Sequence, residues 1–180
     1  YLYFLASTDY GLNTGWLDMT SFDHPVTRAL YVAILRADGV SPFLPKSDEE
    51  EGEGEAESEE PETGGESAQV PDVVEVVIDF DGIEARIVDA PGLPLRNYTG
   101  LTEGPEGSVF VAETIQNQDA VLHKYVLEDA DDETFLEGFQ TVRVSYDRKK
   151  LLYRDGSNWS VVDTGGKAAG DQGRLELGNV

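Results

Sequence analysis

The chain repeats one short sequence pattern three times, and this repetition constrains its fold more than any other feature. Residues Tyr1–Ser7 spell YLYFLAS, Ser108–Thr114 spell SVFVAET, and Lys150–Gly156 spell KLLYRDG. Each is a brief apolar and aromatic run that ends in small or polar residues. Val109 and Leu151 are 42 positions apart, and a propeller blade of four short strands repeats roughly every 40–45 residues. The spacing therefore predicts several blades of a β-propeller.

The second copy lies inside one complete predicted blade of four strands, from about Tyr98 to Glu137. The next blade contains KLLYRDG and turns at Ser157-Asn158 into WSVVDTG, and Leu175–Leu177 is predicted to begin a further element. No segment longer than one turn shows helical periodicity. The predicted fold class is all-β, a β-propeller fragment of about two to three four-stranded antiparallel blades with a disordered acidic insert.

The first copy has no strand before it, so we interpret the chain as starting in mid-sheet and as a piece of something larger. Tyr1–Ser7 and Thr27–Arg36 are predicted to pair as antiparallel strands across a long loop. Val73–Gly82 and Ile83–Pro91 are predicted to form two strands joined by a tight turn. The expected organisation is a partial blade at 1–46, an acidic linker at 47–70, propeller blades at 71–165 and an exit linker at 166–180.

Negative charge dominates the chain. The formal net charge is −23, and eleven acids without a single base lie between Asp48 and Glu66. Nucleic acids and anionic lipid surfaces are bound through Lys and Arg, so this charge argues against both as partners. The stretch 47–70 is rich in Glu, Gly, Ser and Pro. It cannot bury enough apolar surface to offset its chain entropy, and it is therefore predicted to be disordered.

The remaining composition limits compartment and chemistry. The chain has no cysteine, which excludes disulfides and thiolate chemistry. No stretch approaches the roughly 18 apolar residues of a membrane-spanning helix, and no charged-then-apolar signal sequence opens the chain. A cytoplasmic location is the default expectation.

The sequence offers no catalytic or cofactor-binding site. Of its two histidines, His24 precedes a proline in a loop, and His123 lies in a predicted strand on the face opposite Leu122 and Lys124. No G-x-S-x-G motif is present to supply an activated serine. With 36 acids in the chain, sequence proximity identifies no acid–base pair. We therefore predict no catalytic residue and no cofactor.

No metal site is predicted either. Asp129, Asp131, Asp132 and Glu133 resemble part of a calcium loop. The glycine and the distal glutamate that such a loop requires are missing. A turn between strands is the better interpretation of this acidic run.

Three aromatic residues in the long loop are candidate contacts for peptides or partner proteins: Tyr10, Trp16 and Phe22. Exposed aromatic side chains on a rigid scaffold can bind peptides or partner surfaces. The alternative is that they fold back as a small core under the loop. The sequence favours the second interpretation without excluding the first.

Three stretches resemble the propeller region of tricorn-type proteases, large cytoplasmic peptidases of archaea and some bacteria. They are Tyr1–Arg36, Val73–Pro91 and Val144–Val162, which together hold 74 of the 180 residues and lie on both sides of the acidic insert. The first is the most specific, because its long loop rich in Gly, Trp and Asp is not a general propeller feature. The third, VSYDRKKLLYRDGSNWSVV, has counterparts in many propellers.

The resemblance implies the late part of a second, seven-bladed propeller, just before a small domain that leads to a PDZ-like domain and a serine-protease core. It implies a parent protein that trims peptides released by the proteasome, forms ring-like hexamers and uses its propellers as ports. The implied partners are the remaining blades and protease domains, peptides and further copies. The nucleophilic serine and the histidine of that family lie in later domains, so none of those positions falls in this sequence.

Two other functions stay open. A TolB-like or WD-type propeller would be a protein-interaction module that belongs to no peptidase. A propeller of the prolyl oligopeptidase kind would cap an α/β-hydrolase domain. The three hypotheses differ in what would follow the propeller: a PDZ-like domain with a serine-protease core, no further domain, or a domain with G-x-S-x-G.

Overall fold

The computed structural model describes residues 1–7, 26–44, 76–168 and 173–178. Within these ranges the chain is built of short β-strands, with a single 3₁₀ turn at Ile83–Arg86. The strands are β1 Leu2–Ala6, β2 Ala29–Ala33, β3 Ile87–Asp89, β4 Tyr98–Glu103, β5 Ser108–Glu113, β6 Val121–Val126, β7 Asp131–Glu137, β8 Thr141–Val144, β9 Lys150–Asp155 and β10 Asn158–Asp163. They form three antiparallel sheets. The predicted all-β fold class is confirmed.

The first sheet has the strand order β1-β2-β3. The predicted antiparallel pairing of the first two apolar runs is confirmed, and Phe4 lies opposite Tyr31 in their register. The two rings stack with centroids 5.6 Å apart, an arrangement that stabilises neighbouring strands. The loop that joins the two strands lies outside the described residues.

The middle sheet, in the order β4-β5-β6-β7, is the predicted complete blade. The third sheet follows with β8, β9 and β10, again with sequence neighbours paired. Short turns at residues 104–107, 116–118 and 156–157 connect the strands, as the Gly, Pro and Asn content of these segments predicts. The repeat identified in the sequence therefore corresponds to consecutive sheets.

Residues 173–175 extend the third sheet at its outer edge. Gly173 accepts a hydrogen bond from the Val161 amide, and Leu175 donates one to the Trp159 carbonyl. Gly173 has φ 74°, and a Cβ there would lie 1.8 Å from the Val161 oxygen, so only glycine permits this approach. The element predicted at Leu175–Leu177 thus begins two residues earlier, in the position of a fourth strand.

The predicted hairpin between Val73–Gly82 and Ile83–Pro91 is wrong. Residues 76–80 form no strand, the chain then makes the 3₁₀ turn, and β3 pairs with β2 instead. Arg86 explains the difference, because its guanidinium donates to the carbonyl oxygens of Asp79 and Asp81 while its Nε donates to Ile34 O at 3.1 Å. These bonds fold the segment back on itself, so the two apolar runs do not pair.

The middle sheet is buried on both faces. Alternate residues of β5 point in opposite directions: Val109 and Val111 pack towards the first sheet, and Phe110 packs towards the third. Fully burying side chains of this size contributes about 1.5–3 kcal/mol each. The continuous apolar run VFVA at Val109–Ala112, which no amphipathic strand would show, follows from this position between two neighbours.

The predicted acidic linker at 47–70 lies outside the described residues. Among the described segments there is no helix long and apolar enough to cross a membrane.

Candidate functional site

A chain of charged side chains crosses the middle sheet on the face that packs against the first sheet. Glu113 on β5, His123 on β6 and Asp132 on β7 lie on three adjacent strands. His123 Nε2 is 2.9 Å from Glu113 Oε2, and its Nδ1 is 3.0 Å from Asp132 Oδ2. One imidazole thus connects two carboxylates across the width of the sheet.

Arg96 continues this chain to the junction with the first sheet. Its Nη1 donates to Glu113 Oε2 at 3.0 Å, and the Glu113 carboxylate holds the pKa of this guanidinium above its usual range. The backbone of Arg96 forms an isolated antiparallel bridge with Arg28, just before β2. The Arg28 guanidinium in turn donates to the Tyr98 carbonyl at 2.9 Å. The two sheets are therefore joined by directional polar contacts.

The centre of this site is almost closed to water. His123 is 2% exposed and Glu113 8%. The Tyr98 ring meets His123 edge-on, with centroids 5.9 Å apart, and burial raises the pKa of the Tyr98 hydroxyl well above its usual range. A buried carboxylate is tolerated only when it is paired or hydrogen-bonded, and His123 and Arg96 supply those bonds here.

The arrangement is suited to holding strands together and not to acid–base catalysis. A histidine that acts as a general base needs one ring nitrogen free to accept a proton from a nucleophile. Both nitrogens of His123 face carboxylates instead. Neutral imidazole has a single N–H, so only the imidazolium form could donate hydrogen bonds to both carboxylates at once. The geometry supports a structural role for His123.

Alternation in the sequence correctly places His123 on the face opposite Leu122, which packs in the other core cluster. It does not predict the partners of the imidazole. The register of β6 and β7 shifts between Leu122 and His123, so His123 pairs across the strands with Thr134 while its ring reaches Asp132. The sequence signal for this site is a histidine in an apolar strand with acids in the neighbouring strands. The irregular register that brings Asp132 to the imidazole cannot be derived from composition or spacing.

A cavity of about 430 Å³ opens between the outer strands of the middle and third sheets. Its walls include Thr134, Tyr153, Ser160, Lys167 and Arg174. Neither the His123 imidazole nor the Glu113 carboxylate contributes to it. The described walls have mixed charge and place no histidine beside the serine, so they hold no constellation for nucleophilic catalysis.

The acidic run that resembles part of a calcium loop forms a β-hairpin. Asp131, Asp132 and Glu133 begin β7, and Ala130 makes the preceding turn with φ 50°. Within the described ranges no group of three or more His, Cys, Asp or Glu side chains is placed to hold a metal ion.

The predicted contact residues Tyr10, Trp16 and Phe22 lie outside the described residues, as does His24. Their role in binding peptides or partners stays a prediction.

Comparison with known proteins gives one informative result. No family model matches the chain, and no curated protein matches it. A solved structure, the crystal structure of the tricorn protease, superposes with a TM-score of 0.51 at 14% sequence identity. The match covers 77% of this chain and 12% of the tricorn protease chain. At this identity the likeness concerns the fold: the described sheets have a tricorn-like β-propeller architecture.

Proposed function

We propose that the chain is a non-catalytic propeller segment of a tricorn-like serine peptidase that degrades peptides downstream of the proteasome. In this proposal the segment is a scaffold and lines a port for substrates or products. The supporting observation is the succession of three antiparallel sheets stacked face to face, in a fold that a segment of the tricorn protease shares. The catalytic residues of the parent protein would lie outside these 180 positions.

Exposed apolar side chains on one sheet face of the described structure support a place within a larger assembly. On the outer face of the first sheet, Leu2 is 55% and Ile87 39% exposed. A blade buries its faces against neighbouring blades, so we propose that the remaining blades and protease domains of the parent chain are the first partners. We also propose peptides and further copies of the parent protein as partners, the copies forming a homo-oligomer in the cytoplasm. The segments 1–46 and 71–165 would form blades, with 47–70 as a linker and 166–180 as the exit.

The peptidase hypothesis is tested with the full-length natural protein. We expect hydrolysis of short fluorogenic peptides, and we expect a serine-directed fluorophosphonate to abolish it. A protein that binds other proteins but hydrolyses no peptide would instead be an interaction module of the TolB-like or WD type.

The port hypothesis is tested at the predicted contact Trp16. We expect Trp16→Ala to slow the hydrolysis of peptides of about 20 residues while short substrates are cleaved at the original rate, because only long substrates would contact the port wall. Tyr146→Ala is the matched control, since Tyr146 is an aromatic residue at a turn and 94% exposed. Equal rates for long peptides in both variants would remove Trp16 from the proposed port.

A further inference from the structure

The outer face of the third sheet, which points away from the middle sheet, is cationic. Leu151, Tyr153 and Val162 pack towards the middle sheet, so strand alternation turns the intervening residues outwards. Cross-strand register groups them in two rows, Arg143–Leu152–Val161 and Thr141–Arg154–Trp159. We call these six residues the arginine face.

Arg154 at its centre lacks an anionic partner among the described residues. Its guanidinium carbon lies 5.7 Å from the centre of the Trp159 ring, a cation–π contact. Its Nε is buried without a hydrogen-bond acceptor. In the part of the chain that the structure describes, no carboxylate lies within ion-pair distance of Arg154 or Arg143. A buried N–H without an acceptor is costly and uncommon in a native structure.

The acidic side chain on this side of the sheet, Asp163, does not pair with these arginines. Asp163 also points to this side of the sheet, but its carboxylate is 2.6 Å from Lys150 Nζ. The chain as a whole carries a net charge of −23, so two arginines on one sheet face without a carboxylate partner among the described residues are unusual for this protein. That net charge also opposes a polyphosphate ligand.

We infer that the arginine face is covered by a polypeptide surface that presents a carboxylate to Arg154. The apolar side chains of Leu152 and Val161 lie beside the arginines and are partly exposed, so the covering surface would place apolar side chains over them. A planar guanidinium held against an aromatic ring is preorganised for a carboxylate. This inference rests on the proposed function, in which further sheets or domains adjoin the segment, and it specifies the chemistry of the next one.

The first junction of this chain already contains an arginine contact between sheets. There the Arg28 guanidinium, next to the first sheet, donates to a backbone carbonyl of the middle sheet, that of Tyr98. Arg154 differs in that its acceptor is supplied by neither of the described neighbours. Because no described residue supplies that acceptor, we assign it to the surface that packs on the outer side of the third sheet.

Zero-length crosslinking of the Arg154→Lys variant in the full-length natural protein tests the inference. Lysine keeps the positive charge and supplies an amine, so carbodiimide treatment would form an amide with a carboxylate in direct contact. Lys150 and Asp163 are the internal positive control, because their side chains lie 2.6 Å apart. We expect mass spectrometry to find the introduced lysine joined to an acid outside the arginine face, at a yield similar to that of the control pair.

Hydroxyl-radical footprinting of Trp159 separates failure of this inference from failure of the proposed function. After correction for intrinsic reactivity, a covered Trp159 would oxidise like Tyr98, which is 0% exposed, and not like Tyr146, which is 94% exposed. Suppose that Trp159 is protected and the control amide forms, but no amide forms at the lysine of the Arg154→Lys variant. This result overturns the inferred carboxylate contact and leaves the proposed propeller assembly intact. A Trp159 as reactive as Tyr146 shows that nothing covers the face and overturns both.

Arg154→Glu provides a second variant that does not depend on crosslinking. It places a carboxylate against the proposed carboxylate, so we expect Trp159 oxidation to rise several-fold relative to the unmodified protein. Unchanged protection of Trp159 in this variant would contradict the inference.

Discussion

The two junctions of the middle sheet are built on different principles. At the second junction, towards the third sheet, Phe110 and Phe135 meet with ring centroids 4.8 Å apart and pack among aliphatic side chains. The first junction has an apolar cluster too, but Tyr125 donates its hydroxyl proton to the Pro91 carbonyl at 2.8 Å, and Arg96 and His123 both bond to the Glu113 carboxylate. In the described structure, the second junction is held by apolar packing. The first junction combines apolar packing with directional hydrogen bonds.

The difference matters for how each junction responds to change. Apolar packing depends on shape and scarcely on pH or salt. Buried hydrogen bonds and ion pairs contribute less net free energy, but they penalise every arrangement that leaves a partner unpaired. We therefore expect mutations at the second junction to cost the most stability, and mutations at the first to change specificity and pH dependence.

Phe110→Ala should give the largest effect. The side chain is 0% exposed, and removing a buried phenyl ring leaves a cavity, so we expect a loss of about 4 kcal/mol in unfolding free energy. Denaturant unfolding measures it, with no dependence on salt concentration. A loss below about 1 kcal/mol would show that the second junction is loosely packed.

His123→Leu should cost about 3 kcal/mol, because it removes one of the two side chains that bond to the buried Glu113 carboxylate and leaves Arg96. Adding Glu113→Gln to this variant removes the poorly compensated charge, so the second substitution should cost less in the variant than in the original protein. A double-mutant cycle of unfolding free energies measures the coupling. Additive losses would show that the two side chains act independently.

Tyr125→Phe should have a smaller effect at neutral pH, about 1 kcal/mol, from the lost hydrogen bond to Pro91. Burial raises the pKa of the Tyr125 hydroxyl to about 12 from an ordinary value of 10.0. A raised pKa means that the stability it contributes is complete below the ordinary value and falls as pH rises towards the raised one. Unfolding measured across this range should decline less steeply in the phenylalanine variant, and equal slopes would contradict the assignment.

Ser145→Ala should have the smallest effect, since it lies at a turn away from both junctions. The Ser145 hydroxyl, and then the Lys149 amide, lower the pKa of the exposed Asp147 carboxyl. The stability contributed by a lowered carboxyl pKa is present above its ordinary value and lost as pH falls. We expect the substitution to raise the pKa of Asp147 towards its ordinary value, as followed by carbon NMR, with the junction-linked titration of Tyr125 unchanged.

The sequence predicts the middle and third sheets well because their strands are local. Short turns with Gly, Pro and Asn separate apolar runs, and neighbours in sequence pair in space. The prediction fails at Asp79–Arg86, where the turn signal at Gly82 indicates a hairpin that does not form. The contacts of Arg86 with distant carbonyls decide that structure, and no local propensity encodes them.

The site could be predicted only in part. Alternation gives the direction of His123, and the same rule would have given that of Arg154. The partners of His123 depend on a register shift and on the packing of two sheets, which bring Glu113 and Asp132 to its ring. That Arg154 has no acid nearby among the described residues depends on every neighbouring strand at once, so it becomes visible only in three dimensions.

The pairing of β3 with β2 has a consequence for the order of folding. Paired residues of strands β4 to β10 lie at most 18 positions apart, whereas Ile87 pairs with Ala33 across 54 positions of chain. Closing so long a loop costs entropy before any contact repays it. During synthesis the edge of β2 that pairs with β3 therefore lacks this partner until β3 has been made. The hairpins of the two later sheets can form without the β2–β3 pairing.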